Sequence, residues 1–171
     1  MLKNNKNLPK LFISRSKLEN ILELISIILI IFFIYYSLTI LNVLPYVIPT
    51  RFDYYGNITS WSNKNILWLS TIIMICVYIL LTVLLKFPYK FNYIVKINEN
   101  NAFIQYKLVR IWLLSLKIEI IILFFITHWI IVSKALNKHL PNKILVIFHI
   151  CALIIILGTV GIYIYKSNKT K

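Results

Sequence analysis

Residues 24–44 read L-I-S-I-I-L-I-I-F-F-I-Y-Y-S-L-T-I-L-N-V-L, an unbroken run without a charge. At about 1.5 Å per residue, a helix of this length crosses a hydrocarbon core roughly 30 Å thick, so the run reads as a transmembrane helix. Just ahead of it, Ser16 to Glu19 (S-K-L-E) has the spacing of a capping box, and Glu19 and Glu23 fall near the positive end of the helix dipole. A cleaved signal peptide has a shorter apolar region and small residues at its cleavage point. This run ends in N-V-L-P-Y, so it is expected to stay in place as an anchor.

The composition agrees with lipid as the solvent: 60% of the 171 residues are hydrophobic and only 14% are charged. The 19 Lys and Arg against 5 Asp and Glu would suggest nucleic acid for a soluble chain. Here the basic residues cluster between apolar runs, so the expected partner is a bilayer with anionic headgroups and no nucleic acid. Cys76 and Cys151 lie inside apolar runs with neither metal-ligand nor disulfide spacing.

Three more runs follow, and the fold class expected is an all-α membrane protein with four transmembrane helices in an antiparallel bundle. Helices are expected over about residues 18–44, 65–86, 98–133 and 141–165, together a domain of 16–165. A basic segment, 1–15, precedes them and a basic tail, 166–171, follows. Between 87 and 111 the connector has two readings: a helix capped by Asn98 that runs on into the third span, which is preferred, or a small hairpin pairing 93–97 with 103–107. Pro141 suits the first position of the fourth helix, and Gly158 and Gly161 offer a neighbouring helix a close approach.

The stretch from Leu44 to Asn65, L-P-Y-V-I-P-T-R-F-D-Y-Y-G-N-I-T-S-W-S-N-K-N, is the one long polar–aromatic connector. Pro45 and Pro49 fix φ and lack an N–H, which ends the first helix and turns the chain out of it. Gly56 sits where a turn calls for positive φ. Phe52, Tyr54, Tyr55 and Trp61 suit the lipid–water boundary, with Arg51, Asp53 and Lys64 beside them. An ordered extracellular loop is therefore expected. Counting Lys and Arg gives the orientation. A cytoplasmic N-terminus puts 13 inside (five before the first helix, five from Lys86 to Arg110, three in the tail) and five outside (Arg51, Lys64, Lys134, Lys138, Lys143). Lys117 lies within a helix and is not counted.

Among residues that carry chemistry, Glu119 is the one acid expected deep within a span, roughly 10 Å into the core. It is expected either to meet a lysine such as Lys86 or to be protonated. Lys117, with Lys107 and Arg110, reads as a row facing headgroups. His128, His139 and His149 all fall toward the outer side without a known ligand spacing, so no metal and no cofactor are expected. No phosphate loop, zinc motif or nucleophile–base pair is present, which argues against an enzyme.

Pro45, Ile48, Pro49, Thr50, Phe52, Gly56, Trp61 and Lys64, followed by Phe91-Asn92-Tyr93, Asn101-Ala102, Gln105-Tyr106, Arg110 and Lys117, form a pattern. It resembles a bacterial membrane domain of unknown function found at the N-terminus of SdpI-type immunity proteins. The resemblance spans about residues 40–125 and departs from the family at Arg51, where a His is usual. It implies a multi-pass bacterial plasma-membrane protein with both termini cytoplasmic. The implied role is protection against, or signalling of, a membrane-active peptide outside, and the implied partner is that peptide or a cytoplasmic protein. It marks Asn101 and Tyr106 as candidate functional residues along with the others. The alternatives are a small transport or channel component using Glu119, or a non-catalytic assembly subunit.

Overall fold

The computed structural model describes residues 11, 13–138 and 140–170. The elements in order are α1 (Lys17–Ile40), β1 (Val47–Phe52), β2 (Ile58–Asn63), α2 (Ile66–Leu84), a 3-10 turn (Pro88–Lys90), α3 (Ala102–Ala135) and α4 (Ile144–Lys169). Three of them, α1, α2 and α4, are long and apolar enough to cross a membrane.

The capping box is present as read: Glu19 N donates to Ser16 Oγ at 3.4 Å, and Ser16 N donates to Glu19 Oε2 at 2.6 Å. α1 ends at Ile40, four residues before the end of the apolar run. The N–H groups of Val43 and Leu44 turn back onto the Ile40 carbonyl.

The all-α expectation needs correction at the connector that follows. It is ordered, but as an antiparallel hairpin of β1 and β2. V-I-P-T-R-F and I-T-S-W-S-N are rich in β-branched and aromatic residues and flank a compact turn, which outweighs the loop signal of the prolines. Pro49 stands opposite Trp61, and the register shifts between Pro49 and Arg51, the kind of irregularity at which a residue without an N–H is tolerated.

Contacts along the helices give their directions. Glu23 meets Lys117 and Phe33 meets His128, so α1 and α3 run parallel. Ser70 meets His128 and Thr82 meets Lys117, so α2 opposes α3. Thr127 meets His149 and Trp112 stacks on Tyr163, so α4 opposes α3 as well. One end of the bundle thus holds the hairpin and the other, the chain-end side, holds the start of α1 and the end of α4.

α3 is the central element, packed by α1, α2, α4 and β1. Its long buried face includes Val109, Leu113, Leu114, Ile121 and Ile130. Apolar layers follow one another along it. Leu41, Leu44, Ile48, Leu67 and Val132 lie under the hairpin, Ile30, Phe33, Met74 and Ile121 lie midway, and Leu81, Leu85, Leu113 and Leu114 lie toward the chain ends.

Two expectations about helix contacts and bounds are corrected. Gly158 and Gly161 face open space, and α4 buries only Ser167, so no neighbour among the described residues makes use of the glycines. The third helix begins at Ala102 and not near 98. Asn98 and Asn101 bond reciprocally, each backbone N–H to the other's side-chain oxygen at 2.9 Å, and this box competes with helix there. The rival hairpin of 93–97 with 103–107 does not form, since the second of those segments is helical. α4 starts at Ile144, after a turn in which Pro141 accepts from the Ile144 N–H, and it runs on to Lys169.

Candidate functional site

The hairpin is a cap, not a tether. Its tip closes through Asp53, which accepts from Asn57 N (2.8 Å) and Asn57 Nδ2 (2.9 Å), and through Gly56 N to Asp53 O (3.0 Å). The Asn57 side-chain bond leads the interactions that hold the Asp53 carboxyl below its usual range. Gly56 has φ +82, as the turn reading requires. It is also buried against the connector before α4, where a Cβ would overlap the backbone carbonyl of Asn142.

Ile48 and Pro49 are buried beneath the cap, whereas Pro45, Arg51 and Trp61 are exposed. Phe52 lies under Lys134, whose Nζ is 5.5 Å from the ring centroid. Lys64 reaches back across the cap to donate to Leu41 O (2.7 Å) and Leu44 O (3.1 Å). It thereby caps the negative end of α1.

At the other end, α1 and α3 are joined by two ion pairs, and here the sequence reading is corrected. Arg110 and Lys117 do not face headgroups; both are buried, Lys117 completely. Lys117 Nζ lies 3.0 Å from each Glu23 oxygen, 3.3 Å from Thr82 Oγ1 and 4.5 Å from the Tyr78 ring centroid. Arg110 Nε lies 2.9 Å from Glu19 Oε1, without hydrogen-bond alignment, and its Nη1 donates to Ile13 O at 3.0 Å.

Glu19 and Glu23 are four apart on α1, and Arg110 and Lys117 seven apart on α3, so each pair shares one helix face and the parallel helices present acids to bases. Glu19 therefore caps α1 and pairs with α3 at once. Nearby, Asn101 donates to Lys96 O (3.0 Å), and the Tyr106 ring packs on Tyr93 with centroids 5.6 Å apart.

Glu119 meets no lysine among the described residues; its polar contact is Thr159 Oγ1 at 3.3 Å. It lines a crevice of about 130 Å³ between α3 and α4 with Ile122, Phe148 and Cys151. Lys86, two residues past the end of α2, is exposed and lines a separate cavity with Arg15 and Arg110. Farther toward the hairpin, Ser70, Thr127, His128 and His149 border a crevice of about 210 Å³. His149 Nδ1 donates to Leu145 O at 2.7 Å. His139 lies outside the described residues, among which no group of three metal-ligating side chains forms.

The residues missed by sequence reasoning are those that act as partners. Glu19 and Glu23 appeared only as dipole acids, although their four-residue spacing was a legible signal of a shared face. Gln105, present in the sequence pattern but given no role there, is fully buried and clasps α4: it accepts from Ser167 Oγ at 2.7 Å, and its Nε2 donates to Ser167 O at 2.9 Å.

Three lipid-length helices, with apolar side chains left exposed around α4, place the chain in the class of multi-pass helical membrane proteins. No family model, no curated protein and no solved structure matches it.

Proposed function

We propose that the chain is a four-span bacterial plasma-membrane protein with both termini cytoplasmic, and that its hairpin cap meets a membrane-active peptide outside, in the manner of SdpI-type immunity. In this reading α3 is the fourth span, the helices alternate across the bilayer, and the chain catalyses no reaction. The excess of Lys and Arg at the chain-end side supports the orientation.

The observation that carries the functional reading is the cap itself. Its underside is held by Ile48, Pro49 and Gly56, while Tyr46, Tyr54, Tyr55 and Trp61 stand out from it, each more than half exposed. Rigid amphipathic rings at the lipid–water boundary suit an amphipathic peptide lying in the same plane. The motif residues from Pro45 to Lys64 support the same reading.

The test is survival of bacteria producing the chain when challenged with a panel of membrane-permeabilising peptides. Protection against at least one peptide is expected. It should be lost in the Tyr54→Ser, Tyr55→Ser, Trp61→Ser triple variant at unchanged abundance, because these rings are exposed. A triple variant that protects as well as the parent overturns the reading.

Glu119 favours a second reading, an ion path, because its carboxyl lines the α3–α4 crevice with no cation opposite among the described residues. Ion flux into vesicles carrying the protein, lost on Glu119→Gln with the fold retained, would put that reading first.

A further inference from the structure

The chain-end side of the bundle holds a cavity of about 340 Å³ between the segment preceding α1, the end of α2 and the first turns of α3. Ile13, Leu85 and Pro88 form its apolar wall, and Arg15, Lys86 and Arg110 bring charge to it. We propose that this cavity binds the phosphate of an anionic phospholipid headgroup, with Arg15 and Lys86 as the binding cations and Arg110 as a fixed wall.

The charges around the cavity support this. Of the cations at this end, Arg15, Lys86 and Arg110 line the cavity and Lys117 lies in the neighbouring ion pair. Two acids answer them, Glu19 to Arg110 and Glu23 to Lys117. Among the described residues, Arg15 and Lys86 have no carboxylate within ion-pair distance. Both are exposed, so their head groups are free to close on a ligand, whereas Arg110 is buried and held by Glu19 and the Ile13 carbonyl.

The position is right for a lipid. Lys86 lies two residues past the end of α2, and Arg15 two residues before the start of α1, which puts both at the level where apolar helices give way to polar chain. A phosphodiester placed there meets two unpaired cations, and its glycerol and first acyl carbons lie against the apolar wall. Bidentate N–H donation from Arg15 and a point charge from Lys86 are the usual means of holding a phosphate. Free phosphate offers the same anion without the apolar part, and the lipid is favoured because half of the wall is apolar.

The experiment is thermal unfolding of the full chain in a non-ionic detergent, with added dioleoylphosphatidylglycerol, dioleoylphosphatidylcholine or inorganic phosphate. Phosphatidylglycerol is expected to raise the midpoint by roughly 5 °C at saturation, and the other two by much less. The Arg15→Gln, Lys86→Gln double variant should keep the parent's midpoint without lipid and lose the rise. The Lys90→Gln, Lys96→Gln double variant, which removes the same charge at the same end away from the cavity, should keep it. An equal rise with phosphatidylcholine, or a rise retained by the first double variant, overturns the site. An equal rise with inorganic phosphate overturns the lipid as its ligand.

Discussion

Lys117 and Gly56 show how much depends on single positions. A lysine fully buried in apolar surroundings is tolerable only while Glu23 faces it. Lys117→Met alone strands the carboxylate and should cost roughly 3–5 kcal/mol, whereas Lys117→Met with Glu23→Gln should cost much less. Denaturation midpoints of the two variants in detergent check this, and equal losses would show that the pair contributes little beyond packing. Gly56→Ala faces both a left-handed backbone and the Asn142 carbonyl, so it should destabilise by more than the roughly 1–2 kcal/mol of conformational strain alone. The same thermal measurement checks it, with Asn57→Ala as a milder turn control. Because the Asp53 carboxyl is held below its usual range, its contribution to the turn is complete above that range. It is lost as pH falls through the lowered value, and faster amide exchange of the hairpin in acid is the expected sign.

At the scale of elements, the hairpin and α1 stabilise each other through Lys64. Its ammonium serves carbonyls that a helix end leaves unpartnered, so Lys64→Met should cost about 1 kcal/mol and loosen the turn after Ile40. Hydrogen exchange at Val43 and Leu44 should rise while exchange in α2 stays unchanged. What was legible in the sequence was local. The capping box of Ser16 and Glu19 and the positive φ of Gly56 each depend on residues within a few positions. Strand pairing in 47–63 was less legible, because Pro45 and Pro49 carry the same signal in a loop and in an irregular edge strand. Arg110 and Lys117 were read to the wrong side because their partners lie far away in the chain. The four-residue spacing of Glu19 and Glu23 marks a shared face in the sequence, but which bases it meets follows only from α1 and α3 being parallel neighbours. Glu119 was recognised as exceptional, but its neighbour Thr159 depends on how α4 docks, which helix periodicity does not specify.

For the whole molecule, the proposed topology is checked by cysteines introduced at Asn57 and Asn168, both exposed, after replacement of Cys76 and Cys151. An impermeant thiol reagent on intact cells should label position 57 and spare 168. The reverse pattern would invert the orientation, and labelling of both would remove one span. The parallel pairing of α1 with α3 has a further consequence during synthesis. Glu23 leaves the ribosome 94 residues before Lys117. At elongation rates of about 5–20 residues per second, that interval is on the order of 5–20 s. For that time α1 carries Glu23, at the edge of its apolar run, without the lysine that faces it in the folded chain. It has reason to linger beside the insertion machinery until α3 arrives, and a chain interrupted before residue 117 should be a substrate for quality-control proteolysis.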